Sequence, residues 1–135
     1  MKTKELMTKN VVTIDHKESA LEAVRLMMKH KIRHLPVIKD NDVMGILSVD
    51  QLQSLCGSFD KVTVGRICDK FVVYASPESD IEEISHAFTS VKVQALPVLD
   101  KKGSVVGIIT AMDFIKFLPN IINFVRAKDV IPCYA

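Results

Sequence analysis

The chain has 135 residues, 48% of them hydrophobic and 25% charged, which supplies enough apolar material for one compact domain and excludes a disordered chain. Its 18 basic and 16 acidic residues are interspersed and leave a formal net charge of +2, so no basic stripe argues for nucleic acid. No apolar run approaches the ~20 residues that span a bilayer, and the opening Met1-Lys2-Thr3-Lys4-Glu5 carries no signal-peptide pattern, which makes the cytoplasm the expected location.

In chain order, the β-branched residues 11–14 predict a first strand, ended by Asp15-His16-Lys17-Glu18. Ala20, Ala23, Val24, Met27 and Met28 follow at helical spacing, so a helix should turn those side chains inward, with Ser19 or Glu18 serving its unpaired N–H groups. A second strand over 33–38 has a proline near its start, where a missing donor is tolerated. Lys39-Asp40-Asn41-Asp42 turns the chain into a third strand, 43–48, and a short helix over 50–55 closes the unit. Residues 57–61 read as a linker. The order then recurs as strand 71–74, helix 80–91, strand 95–99, a turn in which Gly103 supplies positive φ, strand 105–109 and helix 111–117. An apolar stretch over 118–125 is expected to pack on its own module or across a dimer interface.

The recurrence is positional. Residues 6–38 lie on 67–99 at an offset of 61, and 43–52 on 105–114 at an offset of 62. Two copies of one β-α-β-β-α unit follow, each too small to hide its apolar face alone, so function should lie between them. Each strand-helix-strand is expected to be a right-handed crossover and the last two strands a hairpin. The expected division is 1–56 for the first motif, 57–61 for the linker, 62–118 for the second motif and 119–135 for a tail, the two motifs forming one α/β (α+β) module.

Leu35-Pro36-Val37 with its echo Leu96-Pro97-Val98, the run Val105-Val106-Gly107-Ile108-Ile109-Thr110 followed two residues later by Asp113, and Leu6-Met7-Thr8 with its echo Ile67-Cys68-Asp69 carry a family pattern. Over about residues 3–118 the chain resembles a tandem pair of cystathionine-β-synthase (CBS) domains, a Bateman module, here a stand-alone one. The resemblance implies two motifs packed sheet to sheet with pseudo-two-fold symmetry, adenosine-containing ligands in clefts between them, dimerisation, no obligatory cofactor and no catalytic activity.

In that family the aspartate of the Thr-x-x-Asp pattern holds the ribose, and Thr110 and Asp113 match it; apart from the resemblance, the same pair reads as a helix cap. In the first copy Gln51 stands where Asp113 stands in the second, without a carboxylate's charge-assisted bonds. Arg33 and His34 precede Leu35-Pro36-Val37, where relatives place basic residues that reach phosphate; the second copy has Gln94 and Ala95 there. The expectation is one equipped cleft joining Thr110 and Asp113 to Arg33 and His34, and a poorer one holding Gln51, Gln94 and Ala95. Val72, Val73, Tyr74 and Pro97, with Ile14, form the expected base slot, and Asp69 and Thr8 its polar contacts.

One arginine and one histidine balance one phosphate better than three, which puts AMP first and ADP, ATP and S-adenosylmethionine behind it. The expected protein is a regulatory homodimer acting on an unidentified protein partner, without a membrane. An interaction module with a decayed nucleotide site is the alternative, and a nucleic-acid binder the third reading. No phosphate-binding glycine loop is present, and nothing assembles a nucleophile, base and oxyanion site. Cys56, Cys68 and Cys133 form no C-x-x-C pair and are expected to be reduced, mostly packed thiols. His16, His30 and His86 lack metal-ligand spacing.

Overall fold

The computed structural model describes residues 1–70, 72–120, 122 and 123. Its elements are α1 (Thr3–Leu6), β1 (Ile14–Asp15), α2 (Ala20–His30), β2 (His34–Lys39), β3 (Asp42–Ser48), α3 (Val49–Gln53), α4 (Val64–Ile67), α5 (Ile81–His86), a π-helical segment (Ala87–Val91), β4 (Ala95–Leu99), β5 (Val105–Thr110) and α6 (Ala111–Lys116). The fold is α+β, with two small sheets and their helices.

The first copy makes a three-stranded sheet, β1-β2-β3. β1 is shorter than the expected 11–14 strand and runs parallel to β2 through Ile14↔Val37 and Asp15↔Ile38, while β2 and β3 form the hairpin from His34↔Ser48 to Lys39↔Asp42. The second copy keeps only the hairpin, β4-β5. The strand expected over 71–74 does not form at Val72, Val73 or Tyr74; Ala75 alone bridges Val98 in parallel, and Phe71 lies outside the described residues. The equivalent residues 11–13 of the first copy lie outside β1 as well, and the ladder goes no further than Ala75 for want of one donor. His16 N–H extends the first ladder to the Ile38 carbonyl at 2.9 Å, and the equivalent residue in the second copy is Pro77, which has no N–H to give.

Elsewhere the copies agree in detail. The β-bulge between Val37 and Ile38 recurs between Val98 and Leu99, and the left-handed residue that ends α2, Lys31 (φ 55), recurs as Lys92 (φ 61). The hairpin turn of the first copy uses positive φ at Asp40 and Asn41, the twist that two-residue hairpin loops favour. The second turn is one residue longer, with Gly103 at φ 84 as expected and Asp100 Oδ1 accepting from Lys102 N and Ser104 N at 2.9 Å each. That insertion shifts the offset from 61 to 62.

Ser19 caps α2, its hydroxyl accepting from Glu22 N at 3.2 Å. Ala20, Ala23 and Met27 are buried as expected, but Met28 is 75% exposed: neighbouring residues stand 100° apart on a helix, and Met28 falls off the buried stripe.

The lead segment of each copy is built into the other copy. Leu6 of α1 joins the second core with Ala75, Ile84, Leu96, Val98 and Ile109; Thr3 N donates to Ser79 O at 2.8 Å, and Thr8 bridges Ile108. Reciprocally, Val64 and Cys68 join the first core around Leu35, Val37 and Leu47, and Asp69 bridges Ile46. The exchange needs close backbone approach at Gly45, where a Cβ would lie 2.5 Å from the Asp69 carbonyl oxygen, and at Gly107, where it would strike the Met7 thioether.

Candidate ligand cleft between the two copies

The exchanged segments frame a cleft with a cavity of about 260 Å³, close to the lower end of the roughly 300–1,000 Å³ usual for small-molecule sites. One wall belongs to the first copy: His34 at the start of β2, Ile46 and Ser48 toward the end of β3, then Asp50 and Gln51 in α3. The opposite wall belongs to the second copy: Asp69, Val72 and Val73 ahead of the bridge at Ala75, and Val91, Lys92, Val93, Gln94 and Ala95 where the π segment runs into β4.

Local structure fixes the polar groups of this cavity. Gln51 Oε1 accepts from Ser48 N at 2.5 Å and from Ser48 Oγ at 2.7 Å, a capping box at the start of α3. A backbone N–H can only donate, so the atom facing it is the amide oxygen, and the Gln51 NH₂ group is left without a bond among the described residues. At the equivalent place Asp113 Oδ2 accepts from Thr110 N at 2.9 Å, and Asp113 N donates to Thr110 Oγ1 at 3.2 Å. Asp113 is therefore a helix cap, the reading its spacing allows apart from any ligand, and its Oδ1 makes no hydrogen bond among the described residues.

His34 Nε2 is buried and has no hydrogen-bond partner among the described residues. Burial holds the imidazole pKa below its ordinary 6.5, against the opposing pull of the Gln94 side chain, and the Arg33 charge lowers it further. The ring is neutral at pH 7.

Of the residues expected to bind, His34, Asp69, Val72 and Val73 meet around this cavity. They meet there with Gln51, Gln94 and Ala95, in the cleft expected to be the poorer one; Thr110, Asp113 and Arg33 are not among its lining. Tyr74, expected in the base slot, is 64% exposed, and Pro97 is buried in the hairpin opposite Ile108. The bridge Ile46↔Asp69 carries the 69–73 segment to the Gln51 end, and Thr8↔Ile108 carries Thr8 to the Thr110 end. Spacing within one copy cannot show that exchange, so nothing in the sequence points to Ile46, Ser48, Asp50 or 91–93 as lining.

Cys68 is buried, which pushes its thiol pKa up; Cys56 is exposed, contrary to the expected packing, and Cys133 lies outside the described residues. Among the described residues no helix is long and apolar enough to cross a membrane, and no group of three His, Cys, Asp or Glu is placed to hold a metal ion. Leu118 and Ile122 of the expected apolar tail are exposed, and the rest of the tail from residue 124 lies outside the described residues.

The CBS domain family profile matches residues 4–56 and 64–120. A homoserine O-acetyltransferase of Methanococcus vannielii is 32% identical over 110 residues, 78% of this chain, and an inosine-5′-monophosphate dehydrogenase of Aquifex aeolicus is 29% identical over 109 residues, 79% of this chain. The chain spans 22% of the length of each. Among solved structures, the CBS domain pair of protein MJ0100 in complex with 5′-methylthioadenosine and S-adenosylmethionine superposes with a TM-score of 0.81 at 23% identity, covering 90% of this chain and 98% of that one. The Vibrio cholerae acetoin utilization protein AcuB does so at 0.81 and 25%, covering 96% and 98%, and CBSX2 in complex with AMP at 0.75 and 24%, covering 89% and 97%.

Proposed function

Because the chain belongs to the CBS domain family and carries two copies of its unit in tandem, we propose that it is a regulatory module that binds an adenosine-containing ligand between its copies. The carrying observation is the cavity itself, walled by both copies, with His34 and Gln51 on one side and apolar Val72 and Val73 on the other. A flat base suits the valine wall, and sugar hydroxyls, which both donate and accept, suit an imidazole and amides. Occupancy favours the spacing of the two walls that contacts the ligand on both sides, and a protein partner reads that shift. The module acts as a cytoplasmic homodimer.

The test is calorimetric titration of the full chain with AMP, ADP, ATP, S-adenosylmethionine and NADH, repeated on Gln51→Ala and Asp113→Ala. Heat with at least one adenosine compound, lost in one variant, supports the reading; no heat with any of the five ends it.

A second reading, an interaction module, is favoured by one observation. An apolar hollow of about 300 Å³ opens between Val24, Met27, Met28, Leu52 and Phe59, the kind of surface that a protein partner covers. Failure of every nucleotide to raise the melting temperature, with a dimer intact in sedimentation, selects this reading.

A further inference from the structure

Equivalent helices of the two copies are wound differently. In the first copy α2 is α-helical from its cap Ser19 to the left-handed Lys31. In the second, α5 and the π-helical segment Ala87–Val91 fill the equivalent span from Asp80 to the left-handed Lys92. The strands that follow pair in the same register, Leu35↔Leu47 and Leu96↔Ile109, so one span between the same caps and the same strand accepts either winding. What favours the π form is local. Thr89 Oγ1 donates to Ser85 O at 3.0 Å and also reaches His86 O at 3.4 Å, while Ser90 Oγ stands 3.1 Å from His86 Nδ1. An α-helix brings the Thr89 N–H to that same Ser85 carbonyl, and a hydroxyl already bound there competes with it and loosens the turn. The first copy has Val24, Arg25, Met28 and Lys29 at the places of Ser85, His86, Thr89 and Ser90, with no hydroxyl among them.

Resting on the adenosine reading above, we infer that Ala87–Val91 is a two-state switch, which receives the ligand when wound as π-helix and withdraws one wall of the cavity when wound as α-helix. A π turn holds about one residue more than an α turn, so rewinding shifts the end of the segment by about one position, roughly 1.5 Å of rise and 100° of rotation. Val91, Lys92 and Val93 at that end line the cavity, so a ligand touching them binds the π form better and draws the equilibrium toward it. Thr89 and Ser90 are exposed and outside the lining. The same rotation turns them on the surface, where a partner reads whether the cleft is filled. Thr89 is thus a positioning residue, acting on the ligand through the winding.

The experiment combines nuclear magnetic resonance with calorimetric titration of the full chain by AMP, ADP, ATP, S-adenosylmethionine and NADH, on the unaltered protein, Thr89→Val and Thr89→Ser. Contacts from an α-proton to the amide five residues on mark the π winding, and contacts four residues on mark the α winding. Thr89→Val, which keeps the shape and loses the hydroxyl, should exchange the first kind for the second. It should also weaken whichever compound binds the unaltered protein by about threefold to tenfold, the share of one hydrogen bond in the competent form. Saturating ligand should bring the π contacts back in that variant, and Thr89→Ser should match the unaltered protein in both readouts. A winding indifferent to the hydroxyl overturns the switch, and so does an α winding that leaves affinity unchanged. The winding is read without ligand, so the two failures separate: an unresponsive winding ends the switch alone, and silence from all five compounds ends the adenosine reading and the switch's tie to it.

Discussion

The two copies share a strand order, a bulge and a helix-ending lysine, yet the first is the more regular. It has three paired strands, an uninterrupted eleven-residue helix and the larger buried cluster. The second stops its parallel ladder at Ala75 and winds the second half of its matching helix as a π-helix, Ala87–Val91. The second irregularity borders the cavity, to which the end of the π-helix and the residues after it contribute Val91 to Gln94. There the second copy departs from regular α-helix at the wall of the cavity, and π-helical turns are often found at functional sites.

Four measurements sharpen or break that contrast. The largest effect belongs to the cores. Leu47 and Ile109 are equivalent and fully buried, and truncation of either to alanine should cost about 2–5 kcal/mol in urea unfolding. Leu47→Ala should be the more costly, because its larger cluster holds its shape around the void; the reverse order would show that the irregular copy is the better packed.

Next come the two close approaches. Gly45→Ala should destabilise by about 1–3 kcal/mol, because the obstacle at 2.5 Å is a backbone carbonyl. Gly107→Ala should cost clearly less, since the Met7 thioether can swing aside. Equal thermal shifts for the two would mean that the exchanged segments are held less firmly than their bridges indicate.

The caps should differ more gently. Thr110→Ala removes the hydroxyl that accepts from Asp113 N and should cost about 1 kcal/mol. Asp113→Asn, which keeps an acceptor for Thr110 N, should cost less than that in the same melting experiment.

The smallest effect is a pH slope. The folded-state pKa of His34 lies below its ordinary 6.5, so the unfolded chain binds the proton more readily and stability must fall as pH drops through about 6.5 toward that lower value. Urea midpoints measured between pH 7.5 and 5 should decline, and His34→Gln should flatten the part of the decline that this residue causes. An unchanged slope in His34→Gln would show that the imidazole charges freely in the folded protein.

Much of the fold was legible in the residues. Leu35-Pro36-Val37 and Leu96-Pro97-Val98 are paired strands, Ser19 caps its helix, and Gly103 takes the left-handed conformation its turn demands. These are local decisions, made by neighbours in the chain through propensity, period and backbone freedom. The candidate site was half legible. The sequence points to His34, Asp69, Val72 and Val73, but its pattern joins His34 to Asp113, whereas all four line the cavity of Gln51.

What the sequence by itself determined was the repeat, the unit that each copy builds, and the residue types available at equivalent places. Only the tertiary structure decided how the copies combine: which lead segment crosses to which sheet, that Asp69 arrives beside Ile46 and lines one cavity with Gln51, and that His34 lines it too, with a buried nitrogen that has no hydrogen-bond partner among the described residues. The physical reason is reach. Hydrophobic period and turn chemistry act within a few residues, whereas a bridge between residues 46 and 69 or 8 and 108 is settled by burial of both apolar faces at once, and no window of sequence contains that balance.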